Sequence, residues 1–202
     1  MSLYPVFLKL DGERVVVVGG GTVAAGKLDG LLAAGARVTV VAPHVVDAIR
    51  ERATVIDAAS EPAHFDVPRV TIVEAAFEPA HLDGARWVVA AATPDVNRQV
   101  AAAATARGLF CNAVDDPSVA TAYLGGVVRR GEVEIAISTG GTAPALAGLL
   151  REALDALLPV DLHRWIEIAN QARRDWKAAK VPMPERRPLL LRALHRLYPE
   201  AA

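Results

Sequence analysis

The chain has 202 residues, of which 52% are hydrophobic and 22% charged, with a formal net charge of −1. That length holds one large domain or a standard domain with an appendage. The apolar content excludes a disordered chain, and the near-neutral balance gives no global field directed at nucleic acid or a membrane surface.

Arg14–Val18 is a valine run ending at Gly19-Gly20-Gly21, which suits a strand buried on both faces of a parallel sheet. Residues 23–34 read as a helix, with Val23, Ala24, Lys27, Leu28, Leu31 and Leu32 near one face and Gly35 as the residue just beyond its end. Arg37–Ala42 is the second strand, stopped by Pro43, and Val70–Val73 and Trp87–Ala91 are further short strands. Thr93-Pro94-Asp95 carries a hydroxyl cap, a first-turn proline and an early acid, and so predicts a helix running to about Arg107, with Gly108 ending it. Leu109–Val114 is another strand, and Cys111 within it reads as a buried structural thiol. Strands and helices alternate to this point, which indicates a right-handed βαβ architecture.

After Asp115 the character changes. Thr121–Val128 and Glu132–Ser138 flank Arg129-Arg130-Gly131 and read as a β-hairpin. An isolated strand pair is marginally stable, so pairing with another sheet edge is expected, most simply in a twofold dimer. Thr142 with Pro144 starts a helix through about Leu157, and Pro159 breaks it. A helix carrying Leu162, Trp165, Ile166, Ala169 and Trp176 follows. Residues 181–188, with three prolines, are expected to turn before a last helix over about Leu189–Leu197. Residues 143–202 hold ten Lys/Arg against seven Asp/Glu, a mildly basic tail.

Gly19-Gly20-Gly21-Thr22-Val23-Ala24 matches G-x-G-x-x-A between a strand and a helix. Gly19 permits the tight turn, and Gly21 lets the backbone approach a pyrophosphate. The amides around Thr22 and Val23 offer hydrogen bonds and partial positive charge to the phosphates. The acid that usually ends the second strand and binds the adenosine ribose is missing, because the stretch reads Val40-Val41-Ala42-Pro43-His44. Backbone groups around Pro43 and His44 are the substitute. With no cation there for a 2′-phosphate, NAD is favoured over NADP.

The single cysteine rules out an intramolecular disulfide and a cysteine-based zinc cluster. No histidine has a ligand-spaced partner: His64 and His81 fall in expected loops, His163 and His195 in the helical tail. Asp115 follows Cys111-Asn112-Ala113-Val114 at the C-terminal end of a strand, where open α/β sheets place their ligands. It is the candidate catalytic residue, while Asp116 is a candidate turn or helix cap. Ser138-Thr139-Gly140-Gly141-Thr142-Ala143-Pro144 fits either a flexible junction with a capped helix or an anion-binding loop. No charged start followed by an apolar stretch opens the chain, and no apolar run reaches membrane-spanning length. A cytoplasmic protein is therefore expected, with neither nucleic acid nor membrane as partner.

Taken in order, several motifs resemble the dehydrogenase/ferrochelatase module of siroheme synthase and its stand-alone precorrin-2 dehydrogenases. They are Tyr4-Pro5-Val6-Phe7, the glycine loop with Val23-Ala24 and Lys27, Gly35 to Val40, Ala90-Ala91-Ala92-Thr93 with Val96-Asn97, Cys111 to Asp115, and Gly140-Gly141-Thr142-Ala143-Pro144. The resemblance implies a Rossmann domain over residues 1–114, a dimerisation region over 115–142 and a helical domain over 143–202, assembled as a homodimer.

It further implies NAD-dependent oxidation of precorrin-2 to sirohydrochlorin, with Asp115 essential to it and, where present, to Fe²⁺ insertion. Expected cofactor contacts are Gly19, Gly21, Thr22, Val23, Pro43, His44 and Thr93. Expected tetrapyrrole contacts are Asn112, Thr139, Gly140, Gly141 and Thr142. The substrate's carboxylates would give the basic tail a purpose, with Arg129, Arg130 and Arg151 nearest the junction. Some members carry a phosphorylatable serine where Thr139 stands, a departure here. Two other readings stay open: a dehydrogenase served by a separate chelatase, and a non-catalytic NAD-sensing module.

Overall fold

The structure is a computed structural model that describes residues 3–53 and 69–197. His64 lies outside the described residues. The chain divides into two compact units, Met1–Leu124 and Gly125–Ala202.

The first unit is built on a parallel sheet of β1 (Arg14–Val18), β2 (Arg37–Val41), β3 (Val70–Val73), β4 (Trp87–Ala90) and β5 (Cys111–Ala113), in the order β3-β2-β1-β4-β5. The α/β expectation is borne out. The valine run has a direct physical reading, since successive side chains leave opposite faces. Val15 and Val17 join Val38, Val40 and Val89 beneath α1 (Thr22–Ala33), whose Ala24, Leu28 and Leu31 are buried there. Val16 and Val18 join Val88, Ala90 and Cys111 against α3 (Pro94–Ala106) through Val100, Ala101 and Ala104. Each fully buried valine contributes about 1.5–3 kcal/mol of transfer free energy, so both faces must be covered, as helices on alternate sides achieve.

Two short elements escaped the periodicity reading. They are α2 (Asp47–Arg50) and a single 3₁₀ turn, Pro79–Leu82. One turn of helix has no repeat to detect. His81 therefore sits in helical backbone rather than a loop, its Nδ1 accepting the Glu78 N–H at 2.9 Å.

Strand β5 ends the sheet, and its outer side is covered by the returning chain. The Cys111 carbonyl accepts the Thr121 and Ala122 amides at 2.9 and 3.1 Å, and the Cys111 N–H donates to Thr121 Oγ1 at 2.8 Å. This corrects the hairpin expectation. Thr121 and Ala122 serve β5, and the hairpin strands are β6 (Gly126–Arg130) and β7 (Val133–Ile137). Arg130 pairs with Val133, so the turn is Gly131-Glu132 and both arginines lie in β6. Gly131 has φ +58, the conformation a two-residue hairpin loop demands and an arginine resists.

The second unit continues with α4 (Pro144–Leu157), α5 (Leu162–Ala178) and α6 (Met183–His195). The last corrects the expected proline turn over 181–188. Pro182 caps α6 and Pro184 lies in its first turn, where no amide hydrogen is needed. Only Pro188 interrupts the ladder. The Arg186 guanidinium bonds back to the Val181 carbonyl at 2.9 and 3.0 Å, fastening the start of the helix. Among the described residues no helix is long and apolar enough to cross a membrane.

Candidate functional site

The order β3-β2-β1-β4-β5 reverses direction between β1 and β4, and ligands of open parallel sheets bind in the crevice at such a point. Three turns converge there. The Gly19 N–H donates to the Val41 carbonyl at 2.9 Å, and the Gly20 carbonyl accepts the Val46 N–H at 2.8 Å. A Cβ on Gly19 would lie 2.2 Å from the Ala91 carbonyl oxygen, and one on Gly20 would lie 1.9 Å from that of His44. The first two glycines therefore let the turns after β1, β2 and β4 close on one another.

Gly21 differs: a Cβ there would meet nothing within 4 Å. It caps α1 with no side chain to offer, and the first turn of α1 contains no acid. First-turn amides have no carbonyl within their own helix. The amides heading α1 at Thr22 and Val23 thus face open space at the positive end of the helix, and a diphosphate fits against them.

The opposite lip is formed by the turn after β4 and the exit of β5. A cleft of about 220 Å³ is lined by Val23, Ala91, Ala92, Pro94, Asn97, Val114, Asp115 and Asp116. Asp115 has φ +59, a left-handed backbone rare outside glycine. It is exposed, with its carboxylate unbonded within the chain's described residues. Asp116 is occupied as a turn cap, its Oδ1 accepting the Ser118 N–H at 3.2 Å. Burial pushes the Cys111 thiol up to about 11, which removes it from acid–base or nucleophilic work near neutrality.

Of the residues expected at the site, Gly19, Gly21, Thr22, Val23 and Asp115 stand around this crevice. Pro43 and His44 are exposed just beyond β2, beside Gly20. Thr93 heads α3 but its hydroxyl does not cap it, contrary to expectation. Its carbonyl accepts the first bond of the helix, from the Asn97 backbone N–H at 2.8 Å, and the residue is exposed. Asn112 is buried, its Nδ2 donating to the Ala122 carbonyl at 3.0 Å.

Thr139, Gly140, Gly141 and Thr142 form the turn between β7 and α4 in the second unit, with φ of +65 and +77 at the two glycines. Their hydroxyls are committed locally: Thr142 Oγ1 donates to the Thr139 carbonyl at 2.7 Å, and Thr139 Oγ1 accepts the Ala143 N–H at 3.3 Å. The helix cap is Ala143, so Thr142 does not cap α4 as expected. Arg129, Arg130 and Arg151 are paired with Glu134, Asp155 and Glu152. Among the described residues no group of three or more His, Cys, Asp or Glu is placed to hold a metal ion.

The family model described as "Putative NAD(P)-binding" matches residues 6–126, the stretch that carries the glycine turn and the crevice. The chain belongs to this NAD(P)-binding family. A second model, "Sirohaem biosynthesis protein central", matches residues 130–157 of this NAD(P)-binding protein. Siroheme synthase 1 of Aeromonas salmonicida is 40% identical over 194 residues, covering 93% of this chain and 38% of that one. Siroheme synthase of Citrobacter koseri is also 40% identical with the same coverage. The NAD(P)-binding chain thus spans 38% of the length of these curated relatives. Among solved structures, SirC, a precorrin-2 dehydrogenase, superposes with a TM-score of 0.66 at 24% identity, over 94% of this chain and 88% of that one, and shares the fold. The resemblance read from the motifs is borne out.

Asn97, which also lines the cleft, has no role in the sequence expectations. Its signal was available: an asparagine in an alanine-rich helix, one turn after a strand-ending threonine-proline, is a polar group that must find partners.

Proposed function

We propose that this protein is an NAD-dependent precorrin-2 dehydrogenase of siroheme biosynthesis, producing sirohydrochlorin. One observation carries the reading. The cleft at the sheet's reversal point is bounded by the dinucleotide turn on one side and by the Asp115 carboxylate on the other. The family match and the siroheme synthase relatives support the same chemistry.

The residues to hold the dinucleotide are Gly19 and Gly21, which admit it, the Thr22 and Val23 amides, which bind its phosphates, and Pro43, His44 and Thr93 around the remainder. NAD rather than NADP is favoured because Pro43 and His44 offer no cation, and the next arginine, Arg50, is paired with Glu74 at 2.5 Å. Bound nicotinamide supplies a hydride acceptor. Asp115 takes the proton lost from the macrocycle as conjugation extends. Its fixed left-handed backbone presets the direction of the carboxylate, so much of the acceleration comes from positioning.

Fe²⁺ insertion is a second activity this site suits. Metallation releases two pyrrole protons, and the unbonded Asp115 carboxylate lining the cleft is the group to accept them in turn. The protein acts as a homodimer in this reading. Support comes from the two-stranded sheet β6-β7, which has no third strand among the described residues. The exposed Leu146, Leu149 and Leu157 of α4 add to it.

The test is to incubate the purified chain with precorrin-2 and NAD, with and without Fe²⁺, and to follow NADH and the tetrapyrrole spectrum. NADH formed together with sirohydrochlorin is the expected result, and siroheme with Fe²⁺ would add the chelatase. Binding of NAD without turnover would point to the sensing module and overturn the dehydrogenase.

A further inference from the structure

Among the described residues only two polar side chains are buried, Asn97 and Asn112. Asn112 ties β5 to the returning chain. Asn97 does something else: within one lip of the cleft it joins the turn after β4 to the exit of β5. Its Oδ1 accepts the Ala92 N–H at 2.9 Å and its Nδ2 donates to the Val114 carbonyl at 3.4 Å, while its own backbone amide bonds to Thr93. One amide therefore uses both ends on two different turns.

We infer that Asn97 is a positioning residue that aims Asp115, an inference resting on the dehydrogenase reading above. The Val114 carbonyl belongs to the peptide plane that leads into Asp115. Rotation of that plane changes φ of Asp115. At φ +59 an L-residue carries backbone strain, and such a conformation persists only where its surroundings hold it. The Val114 N–H is held by the Ala90 carbonyl at 2.8 Å, and Asn97 holds the other end of the same residue. Without it, β5 keeps its register through Ala90, but the Val114–Asp115 peptide is free to turn and the half-buried Ala92 amide loses its partner. The defect falls on the direction of the carboxylate, while the phosphate-binding amides at the start of α1 are untouched.

The experiment compares Asn97→Ser and Asn97→Asp, each in the wild-type and Asp115→Ala backgrounds. Asn97→Asp keeps the acceptor for Ala92 and replaces the donor to Val114 with an oxygen. In folded variants, NAD affinity should stay within about threefold of wild type and KM for precorrin-2 should change little. The turnover number should fall about tenfold or more, as expected of a misaimed group. In the Asp115→Ala background the same substitutions should cost nothing further, because residues acting as a unit are not additive. Unchanged turnover, or an equal loss in both backgrounds, overturns the inference.

Inactive wild-type protein would sink the dehydrogenase reading itself and this inference with it; active wild type with insensitive variants sinks this inference alone. If neither variant folds, hydrogen exchange on the wild-type protein decides. The Ala92 amide should be strongly protected, and exchange at the rate of an unbonded loop amide refutes the clamp.

Discussion

Gly19 and Ala91 approach so closely that a single methyl group on the first would lie 2.2 Å from the carbonyl oxygen of the second. Gly19 also has φ +130. Gly19→Ala therefore meets both a strained backbone and a main-chain atom that cannot swing aside, and should cost about 3 kcal/mol or more. A fall in the thermal midpoint, with loss of soluble protein, checks this.

Gly21→Ala should behave in the opposite way. A methyl group there meets nothing within 4 Å, so the melting temperature should stay close to wild type. The phosphate approach is what the methyl obstructs. NAD affinity measured by calorimetry should weaken by about tenfold or more, equivalent to about 1.4 kcal/mol. An unchanged affinity would place the diphosphate elsewhere.

Asp115→Asn preserves size and tolerates the same left-handed backbone but cannot take a proton. Turnover of precorrin-2 should drop by about 10²–10⁴, while NAD binding persists. Stopped-flow turnover alongside a binding titration separates the two effects.

Cys111 should resist alkylation in the native protein at pH 8 and react rapidly once unfolded, since its thiol is buried and raised from 9.0 to about 11. The same shift gives a sign for stability. Above pH 9 the unfolded chain loses this proton while the folded one retains it, so the unfolded state is favoured. Stability should decline between pH 9 and about 11, and Cys111→Ser should flatten that decline. Denaturant midpoints across this range test it.

Pro188 lies inside α6, where it removes the amide that would bond to the Pro184 carbonyl. Pro188→Ala should stabilise α6 by about 1–3 kcal/mol, less the entropy returned to the unfolded chain. Protection of α6 amides against hydrogen exchange is the direct measure.

Much of the sheet was legible because its physics is local and repetitive. Arg14–Val18 can hardly be other than a strand covered on both faces, and Gly19-Gly20-Gly21 stops it with a turn only glycines can make. Gly35 ends α1 through its φ of +81, as its position suggested.

What was hidden depended on partners distant in sequence. Thr121 reads as the start of a hairpin strand until Cys111 claims it. Proline density over 181–188 argues for a turn, and the argument fails because a helix tolerates proline in its first turn. At the site, Asp115 was visible from its place at a strand end. Asn97 was not, since its worth lies in reaching Ala92 and Val114 together, which no spacing rule encodes.

The arrangement of Thr121 and Ala122 over Cys111 has a consequence for how the protein behaves in bulk. A bare terminal strand is an adhesive margin, ready to recruit any extended peptide that drifts past. Here three main-chain or hydroxyl links at 2.8–3.1 Å already occupy the Cys111 positions on that margin. The chain's own continuation thus takes up the Cys111 groups, which leaves an incoming strand fewer places to pair along β5.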